Sequence, residues 1–413
     1  MESKLIVLAD SNHCTGCGAC YSSCKKSAIS FVEDFQGFMQ PSIDDSKCVK
    51  CSLCMNSCPV LNYRKIEHTV ETYAVINRNS EIRKQSSSGG VFTLFAEYCL
   101  KNNGVVFGAK ILSDFSIIHD YTESIDGLSE FRGSKYVQSN IGDSYIITKN
   151  FLELGRLVLF SGSPCQISGL KRYLRKDYDN LITIDFVCHG VPNNKLFLSY
   201  IKFLENKNHS KITSFCFRDK TIGWQQFAVK ALFNNGKVYC QPQTIDKWML
   251  AFNRDIMLRQ SCYNCLYKTK DRESDITIAD LWGINEVVPE LNDNKGTSLL
   301  LIQNDKAQKL FEAVNSQAIY KFIDFERIKK FNSFHQTKIH EKRDVFIEIC
   351  LSLGFGKAYN KYVESNLLVR LYNFCRRMLG KGKRILLKIF RIEKKAFTQS
   401  IVDELLTNNT NIK

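Results

Sequence analysis

Two cysteine runs of identical spacing open this chain of 413 residues. The first run comprises Cys14, Cys17, Cys20 and Cys24, and the second comprises Cys48, Cys51, Cys54 and Cys58, with Pro59 directly after it. Both read Cys-x2-Cys-x2-Cys-x3-Cys, in which three thiolates hold one 4Fe-4S cluster and the fourth holds the other cluster. We therefore predict a first cluster on Cys14, Cys17, Cys20 and Cys58, and a second on Cys48, Cys51, Cys54 and Cys24. This cross-pairing folds the segment back on itself and indicates a protein that moves electrons.

Structural zinc and disulfide bonds are the alternatives for these eight cysteines. Tetrahedral zinc prefers two separated Cys-x2-Cys pairs and needs no third cysteine at the same spacing in each run. Residues 1–10 form a short apolar patch with acidic Glu2 and no secretory cleavage site, so we expect a reducing, cytoplasmic compartment without disulfides. Lys25 follows Cys24 where a proline is usual, which leaves room for an altered second cluster.

The formal net charge of +15 is concentrated near the C-terminus. Residues 366–400 are rich in lysine and arginine, with Glu393 as their single acidic residue, and apolar residues recur at helical spacing. This pattern predicts an amphipathic helix that contacts an anionic membrane surface or an acidic partner, and a solvated helix packed on its own domain is the alternative. No recognition motif for nucleic acid accompanies the charge. No stretch approaches about 18 uninterrupted apolar residues, so any membrane role is expected to be peripheral, at the inner face.

The chain divides into four predicted parts. Residues 1–62 form the two-cluster module, whose strands at 28–32 and 38–41 resemble the bacterial ferredoxin fold. Residues 63–85 form a polar linker with one strand candidate at 73–76. Residues 86–345 form a larger domain, and residues 346–413 form a basic helical tail.

The larger domain alternates between strand and helix patterns. Helices are predicted at 91–100 and 167–174, and buried strands at 105–111, 157–160 and 181–187. Alternation of this kind indicates an α/β domain with at least partly parallel strands. The whole chain is therefore predicted as α/β (α+β), with the small ferredoxin-like module in front.

A Ser-rich turn precedes the first of these helices. Residues 85–90 read Gln-Ser-Ser-Ser-Gly-Gly, so free backbone amides at the helix start are suited to a phosphate group. The alternative is a turn that only caps the helix.

Four further cysteines follow predicted strands or form a pair. Cys165 and Cys188 follow the strands at 157–160 and 181–187, and Cys262 and Cys265 form a Cys-x2-Cys pair. The carboxyl ends of parallel strands share one edge of a sheet, where ligands usually bind. Convergence of the four thiolates predicts another 4Fe-4S cluster or a zinc site. The alternatives are buried free cysteines, or a low-pKa nucleophile at Cys165.

Several short motifs follow one another in the larger domain. They are Ser88-Gly-Gly-Val-Phe-Thr93, Gly133-Ser-Lys-Tyr-Val-Gln-Ser139, Phe160-Ser-Gly-Ser-Pro-Cys-Gln166, Cys188-His-Gly-Val-Pro192, Phe217-Arg-Asp-Lys220 with Gly223-Trp224, Cys262-Tyr-Asn-Cys265, and Asp275-Ile-Thr-Ile-Ala-Asp-Leu-Trp-Gly283. Together they resemble the coenzyme F(420) hydrogenase/dehydrogenase beta-subunit family, with a ferredoxin module fused in front. The resemblance covers residues 86–301 in the same order.

The resemblance implies an iron-sulfur flavoprotein that binds FAD. The residues carried over as ligands of a third 4Fe-4S cluster are Cys165, Cys188, Cys262 and Cys265. Those carried over to the flavin phosphate are Ser88, Gly89, Gly90 and Thr93, with Lys135 as a neighbour. Those expected to face an anionic substrate or the flavin, or else to form a salt-bridged turn and a core indole, are Arg218, Lys220 and Trp224. Asp280 orients a ligand or caps a turn, and His189 donates a hydrogen bond to the ligand shell, carries a proton, or is structural.

The function implied is an oxidoreductase. Electrons pass from the N-terminal clusters through a third cluster to the flavin, and then to a two-electron carrier, such as the deazaflavin coenzyme, or to an organic substrate. The redox partner is a protein or a deazaflavin-type carrier. The main alternative is an electron-transfer subunit without chemistry of its own, with a place in surface-polysaccharide biosynthesis. No catalytic residue is assigned.

Overall fold

The computed structural model describes residues 5–364. Of the described residues, those up to Tyr359 belong to one compact unit and residues 360–364 belong to a second. The strands are β1 (Ile29–Glu33), β2 (Met39–Ile43), β3 (Glu71–Asn77), β4 (Val105–Ile111), β5 (Ile117–Thr122), β6 (Val158–Ser161), β7 (Leu181–Phe186), β8 (Ile212–Asp219), β9 (Ala228–Phe233), β10 (Val238–Pro242), β11 (Ile276–Asp280), β12 (Ser298–Ile302) and β13 (Ala318–Phe322).

The helices complete the element order. They are α1 (Ala19–Ser22), α2 (Leu53–Asn56), α3 (Ser80–Gln85), α4 (Val91–Lys101), α5 (Leu128–Phe131), α6 (Ser144–Glu153), α7 (Pro164–Leu174), α8 (Asn194–Asn208), α9 (Lys247–Phe252), α10 (Ile284–Val287), α11 (Asp305–Val314), α12 (Phe325–Ile328), α13 (Arg343–Leu353) and α14 (Phe355–Tyr362).

An eight-stranded mixed sheet organises the fold, in the order β13-β3-β12-β11-β7-β6-β4-β5. Its centre, β11-β7-β6-β4, is parallel, whereas β12, β3 and β13 on one side and β5 on the other pair antiparallel to their neighbours. The mixed α/β architecture predicted from the sequence is confirmed, because helices follow the parallel strands and return the chain to the sheet.

Two cores cover the two faces of this sheet. Val106 and Leu159 belong to one core with α4 and α11, whereas Val105, Phe107 and Phe160 belong to the other core with α6 and α7. Successive residues of a strand point to opposite faces, so these near-continuous apolar runs bury both sides. The second core also contains Cys17 and Ala19, so the N-terminal cysteine segment packs directly on the larger domain.

Two smaller sheets accompany the large one. The first pairs β1 with β2, where two predicted strands of the ferredoxin-like module are confirmed within two residues at each end. The second is a three-stranded antiparallel sheet in the order β10-β9-β8, a unit that the sequence analysis did not predict.

The segment predicted as a linker contributes to the large sheet. Within residues 63–85, β3 pairs with both β12 and β13, and α3 follows it. At the other end, α13 continues across position 346, the predicted start of the helical tail. The basic part of that tail, 366–400, lies outside the described residues. Within residues 5–364, no helix has the length and apolar character needed to cross a membrane.

Candidate functional site

The first cysteine run forms a loop around a cavity. A cavity of about 20 Å³ is lined by Cys14, Cys17, Cys20 and Cys58, together with apolar residues such as Phe31. The loop turns sharply at Gly16 and Gly18, whose φ angles of 66° and 84° favour glycine. Burial, followed by the charges of the neighbouring Cys14 and Cys58, raises the pKa of Cys20 to about 12. The four residues predicted for the first cluster therefore lie together.

The second group is nearer to solvent. Burial raises the pKa of Cys54, and the neighbouring thiols of Cys24 and Cys51 also raise it. Cys51 is exposed, and Cys24 and Cys48 are half-buried. Cys24 thus lies with the second cysteine run, and Cys58 lies with the first, in the exchanged arrangement predicted from the spacing.

Cys165, Cys188, Cys262 and Cys265 converge at the carboxyl edge of the parallel strands. Cys165 lies in the first turn of α7, which Ser163 and Gln166 cap reciprocally, and Cys188 lies two residues after β7. Burial raises the pKa of Cys188 well above its ordinary value, and the thiols of Cys262, Cys165 and Cys265 add to this rise. Burial likewise raises the pKa of Cys165 to about 11 and that of Cys262 to about 12. Each thiolate in this group would disfavour ionisation of the others. All four can therefore ionise together only around a cationic centre.

The third cysteine group consists of cysteines alone. Within residues 5–364, no group of three or more Cys, His, Asp or Glu side chains is arranged to hold one metal ion. An all-cysteine donor set suits a 4Fe-4S cluster.

Helix α7 connects the third cysteine group to the first. A Cβ atom on Gly169 would lie 3.0 Å from the Cys17 sulfur and 3.1 Å from the Tyr145 hydroxyl. The Thr15 hydroxyl, one residue after Cys14, donates to Cys165 and acts against the rise in its pKa. The two cysteine groups are therefore direct neighbours across the interface between the N-terminal loop and α7.

The Ser-Gly-Gly turn lies at the same edge of the sheet. β3 runs in the same sense as β11, since β12 is antiparallel to both, so the turn after β3 and the cysteine groups share one side. The Gly89 amide donates to Ser298 Oγ at 2.9 Å, and a Cβ there would meet Val75 O at 2.4 Å. Gly90, with φ of 86°, then leads into α4, where Thr93 is buried.

The loop that contains Lys135 packs on this turn. The Ser134 amide donates to Ser87 Oγ at 2.6 Å, and Arg132 Nε donates to Thr93 Oγ1 at 3.2 Å. Lys135 itself donates to the carbonyls of Glu130 and Arg132, both at 3.0 Å. Burial lowers the pKa of Lys135 to about 7, so its ammonium lies in a poorly hydrated site next to the turn.

Arg218, Trp224 and Asp280 form a buried polar cluster. Arg218 forms a bidentate ion pair with Asp280, and the Trp224 indole donates to the same carboxylate at 2.7 Å. Trp224 is 1% exposed and stacks on Trp282 at 5.2 Å. Arg218 and Trp224 thus make the contacts of the second arrangement considered from the sequence, a salt-bridged turn and a core indole.

Lys220 has a different environment. Its ammonium donates to three backbone carbonyls, those of Ser88 at 2.6 Å, Arg83 at 2.8 Å and Lys295 at 2.8 Å. Burial, together with the charge of Arg218, lowers the pKa of Lys220 to about 7. The Lys220 side chain therefore holds the Ser88 turn in place through hydrogen bonds to backbone carbonyls.

His189 pairs with a carboxylate. Its Nε2 is 2.5 Å from Asp255 Oδ1, and its carbonyl accepts from Lys268 Nζ at 3.1 Å. Lys268 lies near the thiols of Cys188 and Cys265, and its charge acts against the rise in their pKa. His189 thus reaches the third cysteine group through the backbone and Lys268.

Two residues near the clusters were missed in the sequence analysis. Gly169 looks like an ordinary helix residue, and Arg259 is three residues before Cys262 without belonging to a motif. Arg259 is 1% exposed and donates to Cys14 O at 2.7 Å. The proximity of Arg259 to Cys262 along the chain was the available signal.

The fold and the eight N-terminal cysteines define an iron-sulfur electron-transfer protein. Residues 13–62 match the family model for a 4Fe-4S dicluster domain, and residues 155–328 match the family model for the C terminus of the coenzyme F(420) hydrogenase/dehydrogenase beta subunit. The chain therefore joins a 4Fe-4S dicluster domain to a domain of the F(420) hydrogenase/dehydrogenase beta-subunit family.

Comparison with solved structures finds a chain of the F(420)-reducing nickel-iron hydrogenase complex from Methanosarcina barkeri. The two share 14% identity and a TM-score of 0.42, over 77% of this chain and 98% of the other. Comparison with curated proteins finds no match.

Proposed function

We propose that this chain is an iron-sulfur flavoprotein oxidoreductase with an internal electron relay. The observation that carries the proposal is the contact of three cysteine groups in series. Cys54 of the second cysteine group lies near Cys20 of the first group. Cys17 of the first group contacts α7 at Gly169, one turn after Cys165 of the third group. Electrons would pass from the second cluster to the first, and from there to a third cluster on Cys165, Cys188, Cys262 and Cys265.

Electrons enter at the second cluster, because it has the most exposed ligands. Cys51 is exposed, and Lys25, Lys26 and Lys50, also exposed, lie within two residues of its predicted ligands. A positive rim of this kind suits a redox partner protein with an acidic surface. The partner expected at this end of the relay is therefore a protein that carries single electrons.

The flavin is assigned to the turn of Ser88, Gly89, Gly90 and Thr93. A bound FAD would join one-electron clusters to a two-electron acceptor. The amides at the start of α4 would hold its phosphates, and Lys135 would place a cation beside them, because the negative charge of the phosphates favours the protonated lysine. Lys220 and Ser298 hold the turn in position through the Ser88 carbonyl and the Gly89 amide.

The final acceptor is proposed as a two-electron carrier, a deazaflavin coenzyme or a similar molecule, or an organic substrate. The support is the family match over residues 155–328. No catalytic residue is assigned for this step.

The decisive experiment is anaerobic purification of the full chain with iron and flavin analysis. Three four-iron clusters predict about twelve iron atoms per chain, and Cys165→Ser is expected to lower this by about four. Cys240→Ser, in β10 away from the three groups, is the control and should leave the iron content unchanged. An unchanged iron count in Cys165→Ser would contradict the third cluster, and a preparation rich in iron but free of flavin would contradict the flavin site.

The second candidate function is an electron-transfer subunit without its own chemistry, which docks to an enzyme through the basic tail. The match to a beta-subunit family and the basic segment at 366–400 favour it. Turnover of carriers by the isolated full chain would argue against a pure adaptor. Deletion of residues 366–413 that abolishes association with a partner or membrane, but retains reductase activity, would assign the tail to docking.

A further inference from the structure

Arg259 is a buried cation between the N-terminal loop and the third cysteine group. It is 1% exposed, and its own amide donates to Val191 O at 2.8 Å, which fixes the backbone three residues before Cys262. A Cβ atom on Gly16 would lie 3.0 Å from its Nη1, so only a glycine allows the first-cluster loop to approach the guanidinium so closely.

The hydrogen-bond partners of Arg259 are all uncharged. Nε donates to Cys14 O at 2.7 Å, and Nη2 donates to Met39 O at 2.9 Å and to Gln40 Oε1 at 3.0 Å. Nη1 donates to Gln138 Oε1 at 3.2 Å. Within residues 5–364, no carboxylate forms an ion pair with this side chain.

Other buried arginines each form an ion pair with a carboxylate. Arg218 pairs with Asp280, Arg272 with Asp185 and Arg343 with Asp344. A buried charge without an opposite charge is costly, so its retention requires another source of negative charge. The thiolate-ligated clusters on either side of Arg259 are that source, because a 4Fe-4S cluster with four thiolates is an anion.

Arg259 contacts both cysteine groups. On the side of the third group, the Cys262 amide donates to the Arg259 carbonyl at 3.0 Å. On the other side, its guanidinium contacts Cys14 and Gly16 of the first-cluster loop. Lys268, in contrast, donates to the carbonyl of His189, one residue after Cys188 of the third group.

We propose that Arg259 is the shared counter-charge of the first and third clusters, and that it raises the reduction potentials of both together. This inference rests on the proposed function. A cluster gains one negative charge on reduction, so a buried cation nearby stabilises the reduced form. In the relay step, the first cluster is oxidised by one electron, the third is reduced by one, and no proton moves. A cation close to both clusters stabilises the electron both before and after this transfer.

The test is a redox titration of the full-length, cluster-loaded protein, followed by electron paramagnetic resonance of each cluster. In Arg259→Gln, the first and third clusters should both shift to lower potential, while the second cluster stays as in the wild type. Arg259→Lys keeps the positive charge, so the potentials of both clusters should stay near those of the wild type. Lys268→Met should lower the potential of the third cluster only. Arg83→Gln, which removes a buried arginine that pairs with Asp293, should shift neither.

Three results would overturn the proposal: unchanged potentials in Arg259→Gln, equal shifts in the lysine and glutamine variants, or a shift confined to one cluster. If Arg259→Gln does not hold iron, Gln138→Glu serves instead, since it places a carboxylate beside the guanidinium and should lower both potentials. Unchanged potentials in this variant would also overturn it. A different result would contradict the proposed function itself. A wild-type protein with about eight iron atoms and two cluster signals would lack the third cluster altogether.

Discussion

Cys17 and Gly169 meet where the N-terminal loop crosses α7, and a Cβ atom at position 169 would lie 3.0 Å from the Cys17 sulfur. Gly169→Ala is therefore expected to displace Cys17 and weaken the first cluster, with a cost of about 1–3 kcal/mol for the overpacked contact. Iron content and the rate of cluster loss in air measure the effect. Ser168→Ala, at the adjacent position of the same helix, should leave both near wild type. Full retention of iron in Gly169→Ala would show that the contact is not tight.

The turn at Gly89 leaves no space for a side chain. A Cβ would lie 2.4 Å from Val75 O and 2.7 Å from Ser298 N, so Gly89→Ala must move the turn away from β3 and β12. We expect a loss of stability of at least about 1–3 kcal/mol and a reduced flavin content, measured by thermal unfolding and by absorbance of the released flavin. Gly155→Ala, where no atom lies within 4 Å but φ is 75°, is the control for a glycine change outside the site, because it should cost backbone strain and leave the flavin content unchanged. Normal flavin content in Gly89→Ala would remove the turn from the flavin site.

The buried pair of Arg218 and Asp280 should be sensitive to the loss of one partner. Asp280→Asn leaves the guanidinium uncompensated and weakens the acceptor of the Trp224 indole, so we expect a loss of about 3–5 kcal/mol. The exposed pair of Lys329 and Glu326 is the comparison, and Glu326→Gln should cost less than about 1 kcal/mol. Thermal unfolding of the three proteins measures the difference. Similar small losses in both variants would mean that solvent reaches Asp280.

The buried ammonium of Lys220 predicts a pH dependence of stability. Its pKa is lowered to about 7 in the folded protein from 10.5, so the unfolded chain binds more protons between these values. Stability contributed by this site is lowest below about pH 7 and rises with pH toward 10.5. Lys220→Met removes this rise, whereas Lys237→Met, at an exposed lysine, should keep it. The check is the difference in Tm between wild type and variant across this pH range, and a constant difference would contradict the shifted pKa.

The sequence predicts the parts of the fold that depend on local pattern. The strand at 105–111 is observed with the same bounds because its apolar run is buried on both faces. Cys165 and Cys188 lie together, as predicted, because β6 and β7 are parallel neighbours that end at the same edge.

The remaining features depend on long-range contacts. Lys220 lies more than 130 residues from the Ser88 carbonyl to which it donates, and no local pattern encodes that contact. The pairing of Arg218 with Asp280 likewise decides between two interpretations that look alike in sequence. The three-stranded β8-β9-β10 sheet was also missed, because β8 and β10 are only partly buried and no continuous apolar run marks them.

Cys17 and Ala19 share a hydrophobic core with α6 and α7, which has a kinetic consequence. The first and third cysteine groups are held at a fixed separation, so electron exchange between them requires no diffusive search by a tethered module. The rate of internal transfer after rapid mixing with a reductant should therefore be independent of solvent viscosity, while the bimolecular step with the external partner should slow as viscosity rises. An internal rate that falls in sucrose or glycerol would indicate that the N-terminal segment swings during turnover.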